Sequence, residues 1–333
     1  VQRALKQAFD PDNVLNPGKV IPPPKDTGQE GKPTEPTLLE QFRGASDNGT
    51  HASELMAKIK AAALQKQPIV PVGSGTFSRF GNLPRGDTQS LTSLSMTDVI
   101  EYDPPNQVIT VGTGISLTDL QAQLKTNNQW LPVRPPFIND SSTIGGLIAL
   151  AACGPERMAY GSPRDLLLGL RYIDCNGVLV TTGGRVVKNV AGYDMTRLLT
   201  GSAGTLGFIS EASWRVSTRP ERCAAISADG SLDASAATAR EIVQSKLSPI
   251  YVTCLPAAPA SNAKDSENWK IIVGFEGFSQ TVEYQIEKCG AVLETAGLQS
   301  LEQTDYSVLE GNFVDEYTEI DRSPFILRAD FPL

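Results

Sequence analysis

Residues 54–64 repeat apolar positions at helical spacing, and residues 68–72 form a short apolar run that stops at Gly73-Ser74-Gly75. A 3.6-residue period buries one face of a helix, whereas a short run closed by glycine fits a strand entering a tight loop, so a helix, a strand and a glycine loop are predicted in that order. Residues 108–111 are rich in β-formers. Ser116-Leu117-Thr118-Asp119 then carries the spacing of a capping box, and the helix it opens sets Leu117, Leu120 and Leu124 on one face. Residues 167–174 and 178–181 flank Asn176-Gly177, which predicts a hairpin because glycine and asparagine accept the positive φ that such turns demand. Asp194 is placed to cap a short helix through Leu198 and Leu199, with Gly201 ending it. Phe208, Ala212, Trp214 and Val216 fall on one face of an alternating strand, and Glu211 and Arg215 on the other.

Beyond Arg219-Pro220 the pattern changes. Strands are predicted at 223–227, 249–255, 269–275 and 325–331, with helices at 234–247 and 280–295. The order β-α-β-β-α-β is that of the split βαβ, ferredoxin-like unit. At the other end, residues 1–9 read as the end of a helix stopped by the turn residues Asp10-Pro11-Asp12-Asn13. Residues 22–36 are proline-rich and charged, which favours an extended, solvated linker. Three regions are therefore expected: a tail of a preceding domain plus linker at 1–36, a main domain at 37–220, and a second domain at 221–333 that is incomplete. A first residue that is not methionine adds the expectation of a processed chain or a piece of a longer one. The fold class is α+β.

Composition narrows the function. With 333 residues, 40% apolar and 20% charged, the chain is long enough for roughly two packed domains. Its longest apolar or glycine run, residues 144–153, is far short of the roughly 20 residues that span a bilayer. Neither a membrane span nor an export signal is expected, which points to the cytoplasm or to the inner face of a membrane reached through partners. Net charge −8 removes the basic footprint of a nucleic-acid binder, so a bound phosphate would have to be held by backbone dipoles or a few local bases. Five scattered cysteines without a Cys-x-x-Cys pair disfavour a disulfide framework, a zinc knuckle and an iron–sulfur site. The single histidine, His51, expected just before a helix, leaves little for a Ser-His-Asp triad or a histidine metal site.

Eighteen of the 29 glycines fall between Gly73 and Gly207, where the backbone must turn tightly or approach something closely. Gly73-Ser74-Gly75-Thr76, with the hydroxyls of Ser74, Thr76 and Ser78, can form an anion-binding nest or an ordinary turn. It has neither the Gly-Lys-Ser/Thr ending of a Walker loop nor the third glycine of a Rossmann loop. Ser142-Thr143-Ile144-Gly145-Gly146 suits a helix packed under a ligand and equally a close helix contact. Residues 154–165 and the loop Gly201-Ser202-Ala203-Gly204-Thr205-Leu206-Gly207 can wrap a ligand or simply connect elements.

In combination, Val187-Lys188-Asn189-Val190-Ala191-Gly192-Tyr193-Asp194 followed by Gly201-Ser202-Ala203-Gly204-Thr205-Leu206-Gly207-Phe208-Ile209 closely resembles the flavin domain of glycolate oxidase subunits, of the vanillyl-alcohol-oxidase, PCMH type. The resemblance runs from about Gly73 to Trp214 and takes in Thr143-Ile144-Gly145-Gly146 and Tyr160-Gly161-Ser162-Pro163-Arg164-Asp165. It implies a PCMH-type FAD-binding domain of two α/β subdomains, followed by a partial ferredoxin-like cap. It further implies that Gly73, Ser74, Gly75, Thr76, Phe77 and Ser78 lie around the pyrophosphate of FAD. Ser142, Thr143, Gly145, Gly146, Gly154, Tyr160, Gly161 and Ser162 would then lie along the phosphates and flavin, with Gly204, Gly207 and Ile209 on the adenine and ribose side.

Departures from the family refine what is implied. Some relatives attach FAD through a histidine in or near the glycine loop; Phe77 and its neighbours offer none, which implies noncovalent FAD. Catalytic relatives resemble one another in a second-domain His-x-His metal site, and no histidine follows His51, so no metal is expected and the catalytic residues are unassigned. Ala203 stands where the larger subunit usually has glutamate, which makes the smaller flavin subunit the better match. Asp165 and Lys188 can be read as acid/base groups or as loop anchors. Phe9-Asp10-Pro11-Asp12-Asn13-Val14-Leu15-Asn16-Pro17-Gly18-Lys19 resembles the C-terminus of the larger subunit, suggesting a fusion in which large subunit precedes small. The partners implied are that larger catalytic flavin subunit and an iron–sulfur subunit. The leading expectation is an FAD-binding part of a complex that oxidises a small 2-hydroxy acid. Its alternatives are a noncatalytic assembly module and a flavin oxidoreductase acting on another substrate, such as an enolpyruvyl nucleotide sugar; the second would need a basic pocket in a second domain where Lys and Arg are sparse.

Overall fold

The computed structural model describes residues 2–16, 50–77, 88–135, 141–184, 194–256 and 268–305. In chain order the elements are α1 (Gln2–Phe9), α2 (Thr50–Gln65), β1 (Ile69–Val72), β2 (Gln89–Thr92), β3 (Val99–Asp103), β4 (Val108–Gly112), α3 (Leu117–Lys125), β5 (Gln129–Trp130) and α4 (Ile144–Leu150). They continue with α5 (Arg157–Tyr160), α6 (Pro163–Leu166), β6 (Leu167–Ile173), β7 (Leu179–Gly183), α7 (Met195–Leu199), β8 (Phe208–Arg215) and β9 (Ser217–Thr218). The last are β10 (Arg222–Gly230), α8 (Leu232–Gln244), β11 (Tyr251–Pro256), β12 (Trp269–Gly277), α9 (Ser279–Thr295) and β13 (Gln299–Asp305). The chain divides into two compact units: Val1–Leu131, Asn139–Ala152 and Ser162–Thr218 form unit 1, and Pro132–Ile138, Cys153–Gly161 and Arg219–Leu333 form unit 2.

Unit 1 is organised by an antiparallel sheet in the order β3-β4-β8-β6-β7. The alternation expected of β8 holds: Phe208, Ala212, Trp214 and the following Val216 are buried, while Glu211 pairs across the sheet with Arg171 at 2.8 Å. The Asn176-Gly177 hairpin forms as β6 and β7, with Gly177 at φ +76° and Val178 N–H donating to the Asp174 carboxylate at 2.8 Å. Ser116 caps α3 by accepting from Asp119 N at 2.9 Å, and Leu117, Leu120 and Leu124 are buried as one face. Such a cap supplies about 1 kcal/mol, so local chemistry here agrees with packing. Asp194 likewise accepts from Arg197 N at 3.1 Å to start α7, and Gly201 follows that helix at φ +82°.

A second layer of unit 1 joins α2 to the parallel pair β1 and β2. Its core contains Leu55 and Ile59 of α2, Ile69 of β1, Leu91 of β2, and Ile173 and Phe208 of the main sheet. Val14 and Leu15 belong to the same core, and Leu15 forms a parallel bridge with Ile69. Residues 2–16 are therefore built into unit 1. α2 starts at Thr50, earlier than periodicity alone indicates; His51, expected just ahead of the helix, is exposed inside its first turn.

Unit 2 has a four-stranded antiparallel sheet in the order β11-β12-β10-β13, the arrangement of a split βαβ unit. Residues Ile271, Val273 and Phe275 of β12 meet Ile242 of α8 and Val282, Ile286, Cys289 and Leu293 of α9. The opposite face gathers Ala225, Tyr251 and Ile272 with Tyr160 of α5 packed against them. Gly274 is required there, since a Cβ on it would lie 2.3 Å from the Tyr251 ring. The edge beside β10 is filled by Gln299–Asp305, which is polar and was not among the expected strands; residues 325–331, expected as the last strand, lie outside the described residues. Among the described residues no helix is long and apolar enough to cross a membrane.

Candidate functional site

A cavity of about 360 Å³ lies within unit 1 and is walled by three glycine-bearing segments. The first leaves the end of β1. Gly73 packs so closely on the start of α4 that a Cβ would stand 2.0 Å from Thr143 Oγ1. Gly75 has φ +83° and only open space within 4 Å of a Cβ position, so the chain turns there in a conformation that disfavours other residues. The Ser74 and Thr76 hydroxyls are 3.0 Å apart, and Thr76 Oγ1 lies 3.0 Å from Ser142 Oγ. A chain of hydroxyls thus ties the first segment to the second.

The second segment starts α4. Thr143 accepts from Gly146 N at 3.3 Å, and Gly145 N donates to Thr113 O at 2.8 Å. Added Cβ atoms would come to 3.1 Å from Thr113 O at Gly145 and to 3.4 Å from the Phe77 ring at Gly146. These glycines let α4 lie flat against its neighbours while its first turn borders the cavity. The third segment, residues 201–207, follows α7. Gly201 N and Ala203 N donate to Ile148 O and Ala149 O at 3.0 and 2.7 Å, which lays the loop along the end of α4. Ala203 and Gly204 take φ +51° and +69°, and Gly207 passes Tyr172 so closely that a Cβ would sit 2.6 Å from its ring.

Of the expected cofactor residues, Gly73, Ser74, Gly75, Thr76, Phe77, Thr143, Gly145, Gly146, Gly204, Gly207 and Ile209 line this one cavity, and Ser142 is joined to it through Thr76. Ser78 and Lys188 lie outside the described residues. Gly154, Tyr160 and Gly161 belong to unit 2. Ser162 and Asp165 form the capping box of α6, Asp165 accepting from Ser162 N and Oγ at 2.9 and 2.7 Å. Burial raises the Asp165 pKa, but these hydrogen bonds and the nearby arginines outweigh it and leave the carboxyl below its usual range. That is a loop anchor. Sequence reasoning missed Asn16, Thr88, Ser90 and Ser93, which also line the cavity. No described residue of the lining is charged.

A different polar cluster is buried in unit 2. Glu276, with its side chain 1% exposed, accepts from Arg134 at 2.9 Å and from the Tyr160 hydroxyl at 2.9 Å. Burial and the Glu276 carboxylate both push the Tyr160 pKa up. Nearby, Glu156 is 1% exposed; one carboxyl oxygen accepts from Arg134 N at 2.5 Å and Gly154 N at 3.3 Å, while Oε2 has no hydrogen-bond partner among the described residues. Burial pushes the Glu156 carboxyl up to about 7, against the pull of those backbone donors and Arg134. No spacing signal pointed to this cluster, because Arg134 and Glu276 are separated by 142 residues.

The cavity suits a ligand held by backbone groups and hydroxyls and therefore fits a dinucleotide, whose phosphates bind to exposed N–H groups without a bulky side chain in the way. Residues 49–183 match the FAD binding domain family, so FAD is the cofactor of this domain. Residues 1–20 match a different family, the C-terminal domain of FAD linked oxidases.

The chain resembles glycolate oxidase subunits. It is 35% identical over 205 residues to glycolate oxidase subunit GlcE of Escherichia coli, covering 62% of this chain and 57% of the relative. It is 30% identical over 261 residues to subunit GlcD of Bacillus subtilis, covering 76% of this chain and 55% of that one. A D-lactate dehydrogenase of Archaeoglobus fulgidus is 31% identical over 167 residues, or 50% of this chain and 37% of the relative. The chain thus spans little more than half the length of the two glycolate oxidase subunits. Among solved structures, alkyldihydroxyacetonephosphate synthase superposes with a TM-score of 0.63 at 19% identity, covering 80% of this chain and 56% of that one, which shows a shared PCMH-type α+β fold.

Proposed function

We propose that this chain is the FAD-binding part of a glycolate-oxidase-type oxidoreductase, that it holds FAD noncovalently in the cavity of unit 1, and that the complex oxidises a small 2-hydroxy acid. The observation that carries this reading is the convergence of three glycine segments, far apart in sequence, on one cavity whose described lining residues are uncharged. Gly73, Gly75, Gly145, Gly146 and Gly204 keep the walls free of side chains; the Ser74, Thr76, Ser142 and Thr143 hydroxyls offer hydrogen bonds to phosphate oxygens. Gly207 and Ile209 border the remainder of the cavity. Phe77 stands where a histidine could form a covalent link, so the cofactor is held by these contacts alone.

When bound, FAD supplies a hydride acceptor, while the protein orients the reacting groups and handles the hydroxyl proton. In this chain no histidine follows His51, and the Glu276 carboxylate is already occupied by Arg134 and Tyr160. Removal of the substrate proton is assigned to a larger flavin subunit, with an iron–sulfur subunit taking electrons onward. Gly154, Tyr160 and Gly161 of unit 2 and Ser162 of unit 1 are kept in this proposal as further cofactor contacts. The domains are taken as 37–220 for FAD and 221–333 for the cap, and attachment to a membrane, where it occurs, is through partners.

The test is the visible spectrum of the purified chain before and after heat denaturation, followed by titration with FAD. Flavin bands whose chromophore passes a filter after denaturation support the reading. A colourless protein that stays colourless and shows no change in FAD fluorescence on titration would sink it and favour an assembly module.

A further inference from the structure

We infer that residues 2–16 are a strap that docks on the FAD-binding domain following them and holds two walls of its cavity in place. The inference rests on the proposed flavin reading only for its effect on FAD, not for the docking itself. Residues 1–20 match the C-terminal domain of FAD linked oxidases, whereas residues 49–183 match the FAD binding domain, so a C-terminal-type segment here precedes the domain that it touches. Neither match assigns a contact between them. The contacts come from the geometry.

The strap is first stabilised internally. The Asp10 carboxylate accepts from Val14 N at 2.9 Å and Leu15 N at 2.8 Å, which closes the turn after α1 and aims Val14 and Leu15 into the core beside Ile59 and Ile69. Asn16 then adopts φ +45°. Its N–H donates to Ile69 O at 2.6 Å, and Ile69 N–H donates to Val14 O at 2.7 Å, so the segment is added as a short strand to β1. β1 is the strand that leads into Gly73.

A second set of bonds reaches the opposite wall. The Asn16 carboxamide donates to Ala203 O at 2.7 Å, and Lys6 Nζ donates to Thr205 O at 2.8 Å. The same ammonium group donates to Leu15 O at 2.6 Å and forms an ion pair with Asp10. One lysine therefore joins the strap to itself and to residues 201–207, while Asn16 bridges β1 and Ala203 and itself lines the cavity. Ala203 holds φ +51°, a conformation that a residue other than glycine keeps only where surrounding contacts enforce it. The strap adds the bond at Ala203 O to the one that Ala203 N makes with α4. Lys6 and Asn16 are positioning residues; neither is placed on a reacting atom.

The docking is also separable from covalent connection. Burial of Val14 and Leu15, together with four hydrogen bonds between the strap and the domain, is expected to retain the short segment after its link is cut.

The experiment uses the full chain and three altered full chains: Lys6→Met, Leu15→Asp, and one with a protease site between Pro24 and Pro36. Hydrogen exchange is followed at residues 69–77 and 201–209, and FAD affinity by fluorescence titration. Lys6→Met is expected to speed exchange in both segments while β10 and β12 stay unchanged, and to weaken FAD about tenfold. Leu15→Asp does the same to a greater extent. After cutting, the N-terminal fragment co-elutes with the body on gel filtration, and a synthetic peptide of residues 1–20 competes with it. The inference is overturned if Lys6→Met leaves exchange at both segments unaltered, or if the cut fragment washes away and both segments keep their protection. Should Leu15→Asp fail to fold, Lys6→Met and the cut chain decide. A strap that controls exchange in a chain that never binds FAD upholds the docking and removes the flavin reading.

Discussion

The two units bury polarity in opposite ways. In unit 1 the cavity is lined by glycine backbone and hydroxyls, with no charged group among the described lining residues. In unit 2 the buried polar cluster is made of ionisable side chains: Glu276 accepts from Arg134 and Tyr160, and Glu156 accepts from the backbone N–H groups of Arg134 and Gly154. Backbone dipoles and hydroxyls cost little to leave in a small cavity because water can satisfy them until a ligand arrives. A buried charge without a partner costs several kcal/mol, so it must be matched within the fold. A glycine-walled space with no charge among its described lining residues is thus suited to receive something, and the Arg134–Glu276–Tyr160 group is suited to hold its own unit together.

The strongest way to break that contrast is Glu276→Ala. It removes the acceptor shared by Arg134 and the Tyr160 hydroxyl and should cost unit 2 about 3 kcal/mol in denaturant unfolding, a larger effect than on FAD titration of the folded chain. An equal loss of FAD affinity would show that the cluster serves the cofactor site after all. Next comes the proton on Glu156. Its carboxyl is raised from 4.5 to about 7, so the folded state keeps a proton that the unfolded chain has released. Stability from this group is complete below pH 4.5 and is lost as pH rises towards about 7, by an amount on the order of 3 kcal/mol. Glu156→Gln, which keeps an acceptor for Arg134 N and Gly154 N, should flatten this slope when unfolding is measured across pH 4.5 to 8.

On the unit 1 side, Gly75→Val places a β-branched residue at φ +83°. The strain, about 1–2 kcal/mol, should lower FAD affinity at least tenfold with no change in the unfolding of unit 2. The smallest expected effect is that of Thr76→Val, which removes the hydroxyl between Ser74 and Ser142. A loss of about 0.5–1.5 kcal/mol in FAD binding, read by titration, is expected. A loss no greater than that of a distant surface change such as Lys58→Gln would remove the hydroxyl chain from the site.

Much of the first unit was legible because its signals are local. Ser116 and Asp119 cap α3 within four residues of each other; Asn176-Gly177 turns the β6–β7 hairpin; Asp194 and Gly201 bracket α7. Such features depend on backbone geometry that neighbours in sequence already impose. The glycine segments were legible as candidates, and their order pointed to a flavin domain, but a turn and a ligand loop look alike until the fold brings them face to face. β13 was not legible at all. Gln299–Asp305 has no apolar alternation, and it is a strand because β10 offers an open edge whose carbonyl and N–H groups need partners.

The sequence by itself determined where helices start, where chains turn and which residues cannot carry a side chain, since caps, positive φ and period are properties of adjacent residues. Only the tertiary structure decided that three glycine segments share one cavity, that Asn16 and Lys6 reach across to Ala203 and Thr205, and that Glu276 meets Arg134 and Tyr160. Those contacts join residues far apart in the chain, from 66 positions for Thr76 and Ser142 to 199 for Lys6 and Thr205, and which distant groups meet is settled by how sheets and helices bury their apolar faces together, a choice that no local pattern records.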